Sequence, residues 1–131
     1  MSRAEDMKIA EALNYAIWLR DNVNEIKGDD ITKALIKLGD YRVFSSRQIS
    51  AIINNRISHT VISSITGKKD KTGGKLNVAS LEVLRNILYS RSSGETNYGL
   101  IANALEEGTS QGMISKLTGV SQSSISRRFN G

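Results

Sequence analysis

Short amphipathic segments separated by glycine are the feature that most constrains the fold of this chain. Apolar residues recur every three or four positions, which is the spacing of one buried face of an α-helix. Glycines such as Gly67, Gly108 and Gly119 follow these segments. No stretch of useful length alternates strictly between apolar and polar residues, as a half-buried strand would. We therefore predict an all-α fold, a small bundle of about seven or eight helices.

Turn and capping residues give approximate bounds for the helices. Gly28 and Gly39 are predicted to end the first two helices, and one member of the pair Asp29-Asp30 to cap the second. Ser45 and Gln48 have the spacing of a capping box at the start of the third. The predicted segments are residues 3–27, 31–38, 45–53, 58–66, 76–91 and 97–107, followed by two short segments on either side of Gly119.

Composition excludes several classes of protein. The 131 residues fit one compact domain or two very small ones. Without cysteine there is no disulfide, thiolate nucleophile or zinc–thiolate site, and a single histidine excludes a His-rich metal site. The glycine- and lysine-rich stretch Gly67–Lys75 departs from the Walker phosphate-loop pattern. We expect no enzymatic activity, no metal and no cofactor.

The hydropathy pattern gives no indication of a membrane protein. No apolar run approaches the roughly 18 residues that a membrane helix needs. The N-terminal residues lack the charged and apolar regions of a signal peptide. We expect a cytoplasmic protein without a membrane partner.

Positive charge is concentrated in the middle of the chain. The formal net charge is +5, and residues 41–80 contain seven basic and one acidic side chain. Residues 1–40 contain six basic and eight acidic side chains. A basic zone of this kind is typical of a protein with a polyanionic partner, although a solvated basic loop would have the same composition.

The last 22 residues contain two short helical patterns around Gly119. The second pattern would bury Ile125 and Phe129, and Ser121 at its start is a good N-cap. The rest of its surface consists of small polar side chains and two arginines. Such a surface suits a DNA groove better than packing against protein.

The segment Ile114–Arg127, ISKLTGVSQSSISR, resembles the core of the helix-turn-helix DNA-binding motif. The resemblance implies DNA binding, with the second helix in the major groove. The residue types agree, because glutamine can bond adenine bidentately and arginine can bond guanine or phosphate. The DNA-binding residues predicted in this copy are Ser110, Gln111, Ser121, Gln122, Ser123, Ser124, Ser126, Arg127 and Arg128.

Residues 31–66 resemble the C-terminal copy in outline. Gln48–Ile52 is similar to residues 112–117 in its Ile-Ser-x-aliphatic core, and Ile57–Ser63 is similar to residues 120–126. The connector Ile53–Arg56 is two residues longer than Thr118-Gly119 and lacks the turn glycine. We predict a first helix-turn-helix here, and chance similarity between two short amphipathic helices stays open as the alternative.

This first copy adds a second set of predicted DNA contacts. Residues on its second helix would face DNA, and the lysines that follow would clamp the phosphate backbone or enter a minor groove. The predicted residues are Arg47, Arg56, Ser58, His59, Thr60, Ser63, Lys68, Lys69, Lys71 and Lys75.

The two copies suggest a division of the chain into four parts. These are an N-terminal helix for packing or dimerisation (1–28), the first helix-turn-helix with its basic loop (29–75), a connecting helix (76–95) and the C-terminal helix-turn-helix (96–131). Trp18 is the candidate dimer contact of the first part, and packing within its own domain is the alternative.

The leading hypothesis is a sequence-specific regulator of transcription, such as a repressor, of bacterial or phage type. Its main partner would be double-stranded DNA, with a homodimer as a further expectation. A DNA-binding protein that marks a site for packaging, replication or excision is the first alternative. An adaptor that contacts a protein such as RNA polymerase is the second.

Overall fold

The computed structural model describes residues 3–67 and 74–130. Within these ranges the chain forms eight α-helices, two short 3-10 turns and no β-strand, which confirms the predicted all-α class. None of the helices in these ranges has the length and apolar character needed to cross a bilayer. The helices are α1 (Arg3–Asn22), α2 (Gly28–Asp40), α3 (Ser46–Ile52), α4 (His59–Thr66), α5 (Leu81–Ser92), α6 (Tyr98–Glu106), α7 (Gln111–Thr118) and α8 (Gln122–Asn130).

The chain divides into two compact units. The inner unit comprises Glu11–Gly73, and the split unit comprises Met1–Ala10 together with Gly74–Gly131. The inner unit contains the segment predicted as the first helix-turn-helix, and the split unit contains the C-terminal one.

In the inner unit, α2, α3 and α4 pack pairwise against one another. Leu35 and Leu38 of α2, Ile49 of α3 and Ile62 of α4 are almost completely buried. Removal of these apolar side chains from water is the main favourable contribution to folding.

Local hydrogen bonds define the ends of α3 and α4 as the sequence predicts. The Ser45 hydroxyl accepts from the Gln48 amide (3.2 Å), and the Gln48 side chain accepts from the Ser45 amide (2.9 Å), so the capping box is confirmed. Ser58 caps α4 by accepting from the Val61 amide. Gly67 ends α4 in the left-handed region, at φ 71°.

The predictions for the first two helix boundaries were wrong. The first helix ends at Asn22, a 3-10 turn follows, and Gly28 is the first residue of α2 rather than a C-cap. The pair Asp29-Asp30 lies in the first turn of α2, where the helix dipole favours negative charge, and does not cap it. Gly39 lies inside α2, one residue before its end, and does not terminate the helix. A Cβ at this position would be 2.9 Å from the Thr66 methyl carbon of α4, so packing accounts for the glycine.

In the split unit, α5 packs on α6 and α7, and α7 packs on α6 and α8. The predicted stripe of α5 is confirmed as core, and Ile114 and Leu117 of α7 are fully buried. An ion pair between Arg91 and Asp6 (3.3 Å) connects α5 to the first turns of α1. The stripe of α5 consists of Leu81, Leu84, Ile87 and Leu88.

The predicted start of α5 was wrong by five residues. Asn77 caps a 3-10 turn, Val78–Ser80, by accepting from the Ala79 amide. Its own amide donates to the Thr109 hydroxyl (3.1 Å), and its side chain donates to a carbonyl near the end of α6. These bonds stabilise a non-helical backbone at Asn77, so the helix begins only after the turn.

Candidate nucleic-acid interface

Helix α8 is attached to α7 through a short turn and one deeply buried side chain. Gly119 adopts φ 77°, which a residue with a side chain rarely tolerates. The Ser121 hydroxyl accepts from the Ser124 amide (3.2 Å), so the predicted N-cap is present. Val120 is buried before the helix, and Ile125 is completely buried within it.

The opposite side of α8 is polar and open to solvent. Ser124 and Ser126 are half-buried, and the remaining predicted residues of this helix are exposed. The exposed ones are Ser121, Gln122, Ser123, Arg127 and Arg128.

The hydroxyls at the start of α8 are bonded to one another. Ser121 donates to the Ser124 hydroxyl (2.7 Å), and the Ser123 hydroxyl lies 3.4 Å from that of Ser121. A partner at this end would therefore meet a preorganised hydroxyl cluster with free acceptor positions on its oxygens.

The two arginines of α8 have different surroundings. Arg127 makes one long contact, from Nε to the carbonyl of Ser123 (3.4 Å). The guanidinium of Arg128 lies 5.1 Å from the centre of the Tyr98 ring, within cation–π range. Neither arginine is paired with a carboxylate in the part of the chain that the structure describes.

The predicted burial of Phe129 was wrong, because 37% of this residue is exposed. Its ring lies 6.4 Å from that of Tyr98, which covers it only in part. Phe129 is one turn beyond Ile125, at the end of the helix, where the core of the unit no longer surrounds it. Ile125 is therefore the principal anchor of α8.

The start of α7 lies beside Lys75. The Ser110 hydroxyl caps α7 by accepting from the Met113 amide (3.2 Å), and the Ser110 amide donates to the Lys75 carbonyl (2.9 Å). A Cβ at Gly74 would lie 2.3 Å from the Ser110 hydroxyl, so the chain approaches too closely for a larger residue. Sequence order placed Lys75 after the first copy, but the backbone bond brings it to the C-terminal copy.

The side chain of Gln122 lies close to Gly112 of α7. Its side-chain oxygen lies 3.9 Å from the position that a Cβ at Gly112 would occupy. Gln111 is half-buried on the same turn of α7.

Lys116 lies further along α7. Partial desolvation lowers the pKa of Lys116, since burial disfavours the ammonium form. An anionic partner there would oppose that effect.

Helix α4 presents a less uniform surface than α8. Thr60 is exposed, while His59 and Ser63 are half-buried. Val61, an apolar residue, is 48% exposed among them. Arg47 on α3 is exposed and has an interaction partner within the protein.

Arg56 makes a contact that the sequence did not indicate. Its guanidinium donates to the backbone carbonyls of Val23 and Ile26, about the 3-10 turn that follows α1. These partners are about 30 positions away in the chain, so no local pattern could have revealed them. Arg56 therefore stabilises the inner unit, whatever else it contacts.

The remaining predicted residues, Lys68, Lys69 and Lys71, lie outside the described residues. Among the described residues, no three His, Asp or Glu side chains are grouped so that they could hold a metal ion.

Comparison with known protein families, curated proteins and solved structures found no match to this chain. The geometry of α7 and α8 is thus the basis for a functional proposal.

Proposed function

We propose that this protein binds double-stranded DNA sequence-specifically through α8 and regulates transcription in the manner of a bacterial or phage repressor. One observation carries the proposal: α8 is held from behind by Ile125 while its opposite side exposes glutamine, serine and arginine. An α-helix fits the width of the major groove, where these side chains can read base edges.

Contacts to the phosphate backbone would orient α8. The exposed Lys75, the N-terminus of α7 with its cap Ser110, and Gln122 lie in one part of the split unit. Lysine and helix N-termini are common phosphate ligands, and such contacts set the register without reading sequence. Arg127 has no carboxylate partner among the described residues and is the arginine that supports base or phosphate contact best.

Selection of bound sequences from a random duplex pool tests the proposal. A long asymmetric consensus would support reading by both predicted helix-turn-helix copies on one chain. A palindrome with half-sites about 34 Å apart would support one reader per subunit of a dimer. Absence of enrichment would contradict the proposal and favour the protein adaptor.

Gln122→Ala should weaken binding to the selected sequence more than binding to random duplex DNA. Loss of one bidentate base contact costs about 1–3 kcal/mol, or roughly tenfold to a hundredfold in affinity. Titrations of labelled duplexes at one fixed salt concentration would measure both losses. Asn103→Ala, on the exposed surface of α6, is the matched control and should change neither. Equal losses on both duplexes would rule out a base-reading role for Gln122.

The alternatives make different predictions. A protein that marks sites for packaging, replication or excision would bind a selected sequence that lies away from promoters. An adaptor would keep its protein partner after combined Arg127→Ala and Arg128→Ala substitution and would not bind duplex DNA at all.

A further inference from the structure

The inner unit contains an open groove with an aromatic floor. It has a volume of about 550 Å³ and lies along α1, the turn after it and α2. Tyr15 and Trp18 stack in it with ring centres 5.6 Å apart. Trp18 nevertheless remains 48% exposed, so a large apolar surface faces solvent. Tryptophan and tyrosine are among the residue types enriched at the energetically dominant positions of protein interfaces.

The charged side chains that α2 contributes to the groove run from acidic to basic. On α2, Asp30 comes first, Lys33 follows one turn later and Lys37 one turn after that. The Lys37 ammonium lies 4.6 Å from the centre of the Tyr15 ring, which places the basic end of the groove beside Tyr15. Lys37 follows Asp30 by seven positions of helix, a distance of about 10 Å along the axis.

The opposite end of the groove has mixed charge. Glu25 and Lys27 precede α2 and line the groove near the end that contains Asp30. The lining thus has three lysines and two carboxylates, and no ion pair within the described residues neutralises them. Their near balance gives little attraction for a polyanion. The acidic-to-basic order from Asp30 to Lys37 along α2 suits a partner with the reverse order of charges.

A second copy of the groove, turned through a two-fold axis, has that reverse order. In an isologous dimer the same patch serves both subunits, so its acidic end faces the basic end of the other copy. We propose that the Trp18 groove is the interface of a homodimer, in which Trp18 packs near the axis and Asp30 of each chain faces Lys37 of the other. This inference does not depend on DNA binding.

Sedimentation of the full chain over roughly 1 µM to 1 mM tests the interface. The wild-type protein should form a dimer, and Trp18→Ala should be monomeric over most of that range. Trp18 is the only tryptophan, so its fluorescence should shift to shorter wavelength as the wild-type protein dimerises. A monomeric wild-type protein throughout, or a dimer unaffected by Trp18→Ala, would overturn the proposal.

Charge-reversal variants test whether Asp30 of each chain faces Lys37 of the other. Asp30→Lys and Lys37→Glu should each be monomeric, because each places like charges opposite one another in its own dimer. An equimolar mixture of the two variants should form a heterodimer, since both opposing pairs are then of opposite sign. If each variant is folded and monomeric alone and the mixture also stays monomeric, the proposed register is wrong.

Two further substitutions control for charge and folding. Asp29→Lys changes the neighbouring residue in the same turn of α2, and Lys8→Glu changes an exposed lysine outside the groove. Both should dimerise like the wild-type protein. Helical circular dichroism of every variant should match that of the wild type. A loss of dimer in either control would overturn the assignment of the interface to the groove.

Discussion

At the scale of single residues, Gly28 and Gly39 show that glycine can mark different features of a helix. Gly28 begins α2, and nothing lies within 4 Å of where its Cβ would be. Gly39 is buried inside the same helix, and its missing side chain lets α4 approach. The close neighbour is Thr66, whose hydroxyl donates to the Ile62 carbonyl (2.9 Å), so its methyl group has little freedom to move away.

Gly39→Ala should destabilise the inner unit. Alanine favours a helix over glycine by about 0.5–1 kcal/mol, but overpacking a core costs about 1–3 kcal/mol. We expect a net loss of about 1 kcal/mol in the free energy of unfolding, measured by chemical denaturation. Gly28→Ala is the matched control and should be neutral or stabilising.

A second substitution shows whether the Thr66 methyl group is the cause. Thr66→Ser removes that group and keeps the hydroxyl, so in combination with Gly39→Ala it should recover most of the loss. A fully additive double variant would mean that the steric contact with Thr66 is not the reason for glycine at this position.

At the scale of the elements, the two predicted helix-turn-helix copies turn their chains in different ways. The α7–α8 connection uses Gly119 at positive φ. The α3–α4 connection uses Asn54 and Asn55, at φ 56° and 59°, and the Asn55 side chain accepts from the Ser50 hydroxyl. Asparagine tolerates the left-handed region better than most residues. The absence of a turn glycine from the first copy thus does not prevent a tight reversal.

The ring of Tyr98, at the start of α6, lies beside the C-terminal half of α8. That ring contacts both the Arg128 guanidinium and the Phe129 ring. Tyr98→Ala should therefore remove about 1 kcal/mol of local stabilisation and speed amide hydrogen exchange in the last turns of α8. Tyr98→Phe keeps the ring and should exchange like the wild type. Unchanged exchange in Tyr98→Ala would show that the Tyr98 ring does not stabilise the last turns of α8.

At the scale of the whole molecule, charge is distributed unevenly along the chain. Residues 41–80 carry a net charge of +6, with seven basic and one acidic side chain. In the proposed function this zone supplies contacts that attract any duplex, while α8 distinguishes sequences. Affinity and specificity would then depend on different parts of the chain.

Replacement of Lys68, Lys69 and Lys71 by alanine tests whether the basic zone contributes affinity without sequence specificity. Binding to selected and random duplexes should weaken alike, and the slope of log affinity against log salt should fall by up to about 0.9 for each lysine that contacts phosphate. Titrations at several salt concentrations would measure the slope. The Lys8→Ala substitution, outside both the basic zone and the Trp18 groove, should leave it nearly unchanged. A loss confined to the selected duplex would contradict a purely electrostatic role.

The sequence by itself determined the features that arise within a few residues of one another. Ser45 and Gln48, Ser58 and Ser121 cap their helices because each bonds a backbone group within one turn. The buried stripe of α5 follows in the same way from helical periodicity. These contacts depend on spacing along one helix, so the all-α class and most helix positions were predictable.

Only the tertiary structure decided the contacts between distant positions. Gly39 has no side chain where α4 lies against it, Asn77 delays α5 because it bonds Thr109, and Arg56 bonds carbonyls about 30 positions earlier. The tertiary structure also places Lys75 beside α7 and forms the aromatic groove around Trp18 from α1 and α2. The physical reason is that close packing and hydrogen bonding act through space, and sequence spacing carries no record of which segments meet.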